Sequence, residues 1–351
     1  MKKNSPKVAI ILLNYKSPDN TIECIESILK SKHDEFQIIV VDNNSQDNSV
    51  EKIIGYFEGN IIPDTVPAHR ERIFPVHSGK LPYIVINEDS IENAGNFSEF
   101  IVKNSDSKII KYPVLLIKNR DNYGFGGGNN SGIKYALKSG NFDFVWLLNN
   151  DTVIDKNTLT ALIEKVKNNN KIGIAGSLLL YYYQPDTIQT VGGGIFYPIL
   201  GLSRLYKKGE KLSVVEDLKE DKIKNNINYI MGASLLLKVD MLKDIGLFDD
   251  KSFFLFSEEL DLFIRAIKKG WDFTVSTSSI VYHKQSASTK NNSEVYYYNL
   301  AKSSVVLLKK HYPKLYLIVS LPFITVNSIR ASKKTGNWKA TINGIKDGLI
   351  K

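Results

Sequence analysis

A single cysteine, Cys24, in 351 residues leaves no disulfide framework, no Cys-based zinc site and no iron–sulfur cluster. Such usage fits a reducing compartment. Long hydrophobic runs are also missing: no segment reaches the roughly 20 uninterrupted apolar residues of a membrane span. The closest, residues 316–329, is short and carries Pro322 and Asn327, and reads as a core or interfacial segment. The N-terminal run Val8 to Leu13 is too brief for a signal peptide and reads as a buried strand. Acidic excess is absent, since 46 Lys and Arg face 37 Asp and Glu for a net charge of +9. That balance permits an anionic partner, yet no nucleic-acid motif accompanies it. A hydrophobic share of 43% excludes wholesale disorder.

What is present is alternation. Val8 to Leu13 and Phe36 to Val41 are continuous β-branched and leucine runs, as in strands covered on both faces. Between them Ile22, Ile25, Ile28 and Leu29 recur at helical spacing after Ser17-Pro18-Asp19. Strands Val114 to Ile117 and Phe144 to Leu148 repeat the scheme, which predicts a mostly parallel central sheet flanked by helices. The alternation breaks over residues 58–112, rich in Pro and polar residues, which read as an insertion with short strands near 83–86. Residues 122–130 predict a Gly-rich loop, with a helix from Asn130 to Ser139. Ile172 to Ala175 and Tyr229 to Lys238 predict further strands, and Gly192-Gly193-Gly194 an antiparallel flap. A helix is expected over 258–269, stopped by Gly270, and a last strand ending at His283. From about residue 291 a helical, basic and aromatic extension follows.

Parallel sheets bind ligands at the carboxyl ends of their strands. Asn14, Asp42 and Asn149-Asn150-Asp151 occupy such ends. Each acid could instead cap the next helix, but recurrence at successive strand ends favours a nucleotide site beside a divalent cation. The Gly-rich loop lets backbone approach a phosphate or simply makes a tight turn. It lacks the P-loop Lys-Ser/Thr and does not follow the first strand as a dinucleotide fingerprint should. In the segment 253–265, helical spacing pairs Asp261 with Arg265 and puts Glu258 on their polar stripe. Glu259 falls with Leu262, Phe263 and Ala266, where poor solvation would raise its proton affinity and suit a general base. Equally, it could be a surface carboxylate favoured by the helix dipole. His283 alone decides nothing; imidazole serves structure and metals alike.

In this order the clusters resemble the inverting glycosyltransferase family 2 with the GT-A fold, and most of all its rhamnosyltransferase-like members. The resemblance covers about residues 7–57 and 112–290 and implies one GT-A domain over 1–290, followed by an extension over 291–351. It implies that Asn14, Tyr15, Asp42, Asn43, Asp121, Asn122, Gly127, Asn129, Asn130, Asn149 and Asn150 bind a nucleotide-diphosphate sugar. Gly232, Ala233 and Ser234 would border the sugar and acceptor. Asp151, with His283, would hold Mn²⁺ or Mg²⁺. Glu259 falls where the family places its base, with Glu258 as the alternative. Two departures stand out: Asn149 replaces the first Asp of the Asp-x-Asp motif, and Glu259 replaces an Asp. The resemblance further implies dTDP-L-rhamnose as first-choice donor and a cell-surface glycan or lipid-linked molecule as acceptor. A cytoplasmic enzyme is expected, and the basic and aromatic residues Lys302, Lys309, Lys310, Tyr312, Lys314, Tyr316, Lys333, Lys334 and Trp338 suit either the anionic inner face of the plasma membrane or, equally, a solvated helical face with a packing seam. A sugar-1-phosphate nucleotidyltransferase and a non-catalytic glycan-binding module are the competing classes.

Overall fold

A computed structural model describes residues 5–77, 79–93, 112–216, 218–285, 293–333 and 335–350. The chain opens with β1 (Val8–Asn14), α1 (Pro18–Leu29), β2 (Phe36–Asp42) and α2 (Ser49–Phe57). Within each strand, side chains alternate between two cores. Ala9, Ile11, Ile39 and Val41 enter one; Ile10, Leu12, Ile38 and Val40 enter the other. Period-two alternation between two apolar layers explains why the strands read as unbroken apolar runs.

Then come α3 (Arg70–Ile73), β3 (Tyr83–Asn87), α4 (Glu88–Asn93), β4 (Val114–Lys118), α5 (Gly124–Ser139), β5 (Phe144–Leu148), β6 (Thr152–Ile154) and α6 (Thr158–Val166). β7 (Ile172–Tyr181), β8 (Gln184–Val191), β9 (Gly193–Tyr197), β10 (Leu202–Leu205), α7 (Glu220–Lys224), β11 (Tyr229–Ile230) and β12 (Ser234–Lys238) follow. The chain continues through α8 (Val239–Ile245), α9 (Glu258–Lys268), β13 (Asp272–His283), α10 (Glu294–His311), α11 (Lys314–Lys333) and α12 (Trp338–Ile350).

The main sheet has the order β3-β4-β2-β1-β5-β12-β7-β13-β6, with β8 on β7. It is parallel from β3 to β5, after which β12 runs antiparallel between β5 and β7. Within the insertion, β3 joins this sheet at its edge beside β4, so the segment extends the core. The carboxylate of buried Glu26 anchors the stretch before β3, accepting from Tyr56 Oη at 2.8 Å and from the His77 amide. Residues 94–111 of the insertion lie outside the described residues.

Three sequence expectations change. The glycines of 124–128 form the first turns of α5 rather than a loop. Close approach to β1 is the reason: a Cβ on Gly128 would sit 2.5 Å from Leu13 Cδ1, and one on Gly132 2.8 Å from Ile11 Cγ2. The expected strand 229–238 is broken at Met231-Gly232-Ala233 into β11, which pairs with β9, and β12. The strand begun at Ile172 continues to Tyr181 because β13 pairs with it from end to end and β8 pairs with its last residues, Leu178 to Tyr181.

α10 packs on α9, and the three C-terminal helices pack on one another. Ser303 Oγ donates to Leu255 O at 2.8 Å, and a Cβ on Gly344 of α12 would meet Tyr298 O of α10 at 2.2 Å. Lys334 lies outside the described residues.

Candidate active site

Asn14 ends β1 fully buried. Its Nδ2 donates to Asp42 Oδ1 at 2.7 Å and to Ser45 Oγ at 3.2 Å, while its Oδ1 accepts from Thr21 at 2.9 Å. Asp42, at the end of β2, also takes the Ser45 hydroxyl and amide. It therefore closes a turn on Ser45 and does not cap α2, whose N-cap residue is Asn48. The next strand end is tied in as well. Asn43 Nδ2 donates to Asn122 Oδ1 at 2.8 Å, and Asn43 Oδ1 accepts from Asn119 and from the Tyr123 amide. Tyr15 is half-buried and Asp121 exposed beside this network.

Thr21 links the first cluster to the next. Asn150 Nδ2 donates to Thr21 Oγ1 at 2.9 Å and to Ser17 Oγ at 3.0 Å. Adjacent Asp151 presents Oδ1 3.2 Å from His283 Nε2, although 132 residues separate them in sequence (from Asp151 to His283). β13 and β6 bring them together, in register at His283 and Thr152. His283 Nδ1 faces Gln189 Oε1 at 2.9 Å, and Asn149 Nδ2 approaches Nε2 at 3.4 Å. A carbonyl oxygen therefore faces Nδ1, while an amide nitrogen and a carboxylate oxygen face Nε2. Nε2 and the Asp151 carboxylate oxygen lie 3.2 Å apart, one nitrogen and one oxygen that would suit a cation.

One imidazole nitrogen and hard oxygens suit Mn²⁺ or Mg²⁺ completed by substrate oxygens. Among the described residues no three His, Cys, Asp or Glu converge on a point. The protein's share would thus be Asp151 and His283, with Asn149 beside them.

Glu258 and Glu259 open α9. The chain enters it through Phe256 and Ser257, both left-handed at φ +69°, an unfavourable conformation for these residues that reverses the backbone. Periodicity placed Glu258 on a polar stripe, but that stripe is buried: Glu258 is 1% exposed and Asp261 0%. Its Cγ would lie 3.3 Å from a Cβ on Gly126, and its Oε1 has no hydrogen-bond partner. Burial, reinforced by the neighbouring Glu259 charge, raises the pKa of Glu258 well above the ordinary glutamate value. Glu259 is partly accessible to solvent, yet the crowded protein around its carboxyl also raises its pKa. A surface carboxylate is therefore not what the structure holds at either position.

The backbone of Gly232 borders Glu259. A Cβ there would lie 3.8 Å from Glu259 Cβ and 3.3 Å from the Phe125 ring. The Ala233 carbonyl accepts the Asn149 amide at 3.0 Å, which connects this loop back to the Asp151 cluster. Contacts thus run from Asp42 through Asn14, Thr21 and Asn150 to Asp151, then through Asn149 and Ala233 to Gly232 and Glu259.

Several expected residues face elsewhere. The Ser234 hydroxyl is engaged in the core by Trp146 Nε1 at 3.0 Å and Ser177 Oγ at 2.7 Å. Asn130 brackets the 248–250 loop, donating to Phe248 O and accepting from its amide. Asn129 donates to Phe125 O within its own helix, and Gly127 backs onto Tyr123 and Asp250. An open cleft of about 800 Å³ lies elsewhere, against β7, β8 and the bulge of β13, and none of the residues lining it belongs to this chain of contacts.

Sequence reasoning missed Gln189, whose position opposite His283 depends on pairing between distant strands. It also missed Glu23, which is buried, accepts from Tyr182 Oη at 2.5 Å and pairs with Lys284 Nζ at 2.5 Å. The helical run 18–29 carried that signal, because Glu23 stands beside Ile22 on a helix buried nearly all round.

An open, mostly parallel sheet flanked by helices, with its polar strand ends near a carboxylate-bearing helix, is a GT-A-like fold. Among solved structures, the mannosyltransferase PcManGT of Pyrobaculum calidifontis, in complex with GDP-Man and Mn²⁺, matches with a TM-score of 0.50 at 11% identity, covering 99% of this chain and 88% of that one. GalNAc-T7 with UDP, GalNAc and Mn²⁺ matches with a TM-score of 0.54 at 12% identity, over 88% of this chain and 48% of that one. At these identities the likeness is one of fold.

The sequence profile described as glycosyl transferase family 2 matches residues 9–74 and 78–246, more than half of the chain, and the chain belongs to that family. It is 27% identical over 200 residues to the low-salt glycan biosynthesis hexosyltransferase Agl10 of Haloferax volcanii, covering 53% of this chain and 61% of that protein. It is 25% identical over 226 residues to the poly-beta-1,6-N-acetyl-D-glucosamine synthase of Staphylococcus epidermidis, covering 63% of this chain and 47% of that protein. The matches therefore span about half to three-fifths of these relatives' lengths.

Proposed function

We propose that the chain is an inverting hexosyltransferase that moves a sugar from a nucleotide diphosphate to a hydroxyl of a surface glycan or lipid-linked acceptor. The observation carrying this reading is the chain of contacts that leads from Asp42 to Asp151 and on through Asn149 and Ala233 to Gly232 and Glu259. Asn14 and Ser45 orient Asp42 toward base or ribose. Gln189 and Asn149 orient His283 beside Asp151, the pair that would hold a divalent cation. Such a cation, when bound, supplies Lewis-acid stabilisation of the departing diphosphate.

Glu259 takes the proton of the acceptor hydroxyl. Both glutamates have raised pKa values, but Glu258 is the more deeply enclosed and feels its neighbour's charge. Glu258 therefore keeps its proton while Glu259 ionises and faces the Gly232 backbone. Positioned base catalysis contributes about 10²–10⁴-fold. Glu259→Gln should lower kcat by about that factor and leave donor binding nearly unchanged. Wild-type turnover in this variant would remove Glu259 from the role.

The base must be ionised. Activity should accordingly fall as pH drops through a value above the ordinary glutamate range of about 4.3. An acid limb at or below that range would contradict the assignment. The donor is a nucleotide-diphosphate hexose, with dTDP-L-rhamnose tested first. Release of free nucleoside diphosphate supports transfer; pyrophosphate would instead indicate a sugar-1-phosphate nucleotidyltransferase. The reading places the enzyme in the cytoplasm.

A further inference from the structure

Helix α11 carries its large apolar side chains outward. Leu315, Ile318, Val319, Phe323 and Val326 recur at helical spacing on its solvent side, with Leu315 66% and Ile318 68% exposed. Its buried positions are Ser320, Ile324 and Ser332. The two buried serine hydroxyls turn back to carbonyls of their own helix, at Tyr316 and Ser328. A helix facing water has the opposite distribution.

A second element continues the same patch. Gly201, at the turn between β9 and β10, lies against Ile324; a Cβ there would come within 2.3 Å of Ile324 Cγ1. The turn's own Tyr197, Ile199, Leu200 and Leu202 are exposed. Isolated exposed apolar residues are common, but a contiguous patch from two elements marks a contact surface.

Charge selects the occupant. Residues 314–333 contain no Asp or Glu, and Lys314 at one end and Arg330 and Lys333 at the other are exposed. A symmetric seam between two copies would bring cation to cation whether the helices ran parallel or antiparallel. An anionic bilayer surface satisfies both the apolar centre and the cationic ends. At 20 residues, or about 30 Å, α11 is long enough to cross a membrane. Crossing would strip its inner face from α10, α12 and Gly201, whereas lying flat keeps those contacts.

We infer that α11 and the β9–β10 turn together form a face that rests on an anionic lipid surface. This revises the sequence expectation at the level of residues. Lys309 and Lys310 are engaged by protein groups, Lys309 by the carbonyls of Gly348 and Leu349 and Lys310 by Asp249 and Asp261, while Tyr312 packs on Phe196. α10 joins α11 to the helix that bears Glu259, and β9 pairs with β11, which leads into Gly232. Docking would thus bring a lipid-linked acceptor to the Gly232 and Glu259 end of the site. That consequence rests on the transferase reading, whereas the lipid contact itself does not.

The test is sedimentation of the full chain with phosphatidylcholine vesicles, with and without phosphatidylglycerol, in the absence of nucleotide sugar. Binding should require phosphatidylglycerol and weaken as salt rises. The double variant Ile318→Gln, Phe323→Gln should lose on the order of tenfold or more in affinity, since each side chain would leave an apolar environment. Ile199→Gln, Leu200→Gln should also weaken it. All four positions are solvent-exposed, so an unchanged thermal midpoint serves as the folding control. Alkaline carbonate should release the bound protein. Equal binding by the variants, retention in carbonate as for a spanning helix, or no binding accompanied by an Ile318- and Phe323-dependent dimer would each overturn the inference. Failure here with intact sugar transfer would leave the transferase reading standing; vesicle binding without transfer would do the reverse.

Discussion

Asp261→Asn tests the buried charge cluster that fastens the C-terminal helices to the helix bearing Glu259. Asp261 is fully buried, and its carboxylate meets Arg265 Nε at 2.8 Å, Lys310 Nζ at 2.7 Å and His311 Nε2 at 2.7 Å. Burial by itself would raise its pKa. Hydrogen bonds from His311 and Lys310, with the charge and hydrogen bond of Arg265, outweigh burial and bring the value down to about 2 from 3.8. A gap of roughly two pH units, at about 1.4 kcal/mol each, corresponds to roughly 2.5 kcal/mol at neutral pH.

The sign follows from the direction. The folded pKa lies below the unfolded one, so the stabilisation is complete above the unfolded value and fades as pH falls through the folded value. Asn preserves the shape and cannot ionise. Urea unfolding at pH 7 should show the variant less stable by roughly 2–3 kcal/mol, and the difference should narrow steadily below about pH 4. A difference that stays constant from pH 7 to pH 3, or no loss at pH 7, would refute the reasoning.

Gly124→Ala should destabilise by about 2 kcal/mol or more and disturb the entry to α9, because Gly124 has φ +71° and a Cβ would lie 1.9 Å from Phe254 O; a variant with wild-type unfolding behaviour would contradict that packing. Gln189→Leu removes the oxygen facing His283 Nδ1 and should weaken Mn²⁺ binding by about 10–100-fold in calorimetric titration, with little change in fold. Unchanged Mn²⁺ affinity would show that Gln189 does not orient a ligand.

Much of the fold was legible because parallel strands sealed between two apolar layers must be apolar at every position. β1 and β2 announce themselves in that way, and the polar residues that end them, Asn14 and Asp42, stand out by contrast. The glycines of α5 were legible as a close approach but not as helix, since the helix gains enough packing against Leu13 and Ile11 to override their low propensity. That the Ser234 hydroxyl turns to Trp146 and Ser177 was not legible, because the break at Gly232-Ala233 falls inside one apolar run.

From the amino-acid order alone follow the alternating elements, the strand ends where ligand chemistry gathers and the helix that carries two glutamates. Those properties are local: they depend on period, run length and turn residues within a few positions. Only the folded chain decides that Glu258 is enclosed while Glu259 faces the Gly232 backbone, that Gln189 reaches His283, and that α11 turns its apolar side outward. Each of these depends on neighbours supplied by remote segments, and no period in the sequence records which segment will be adjacent.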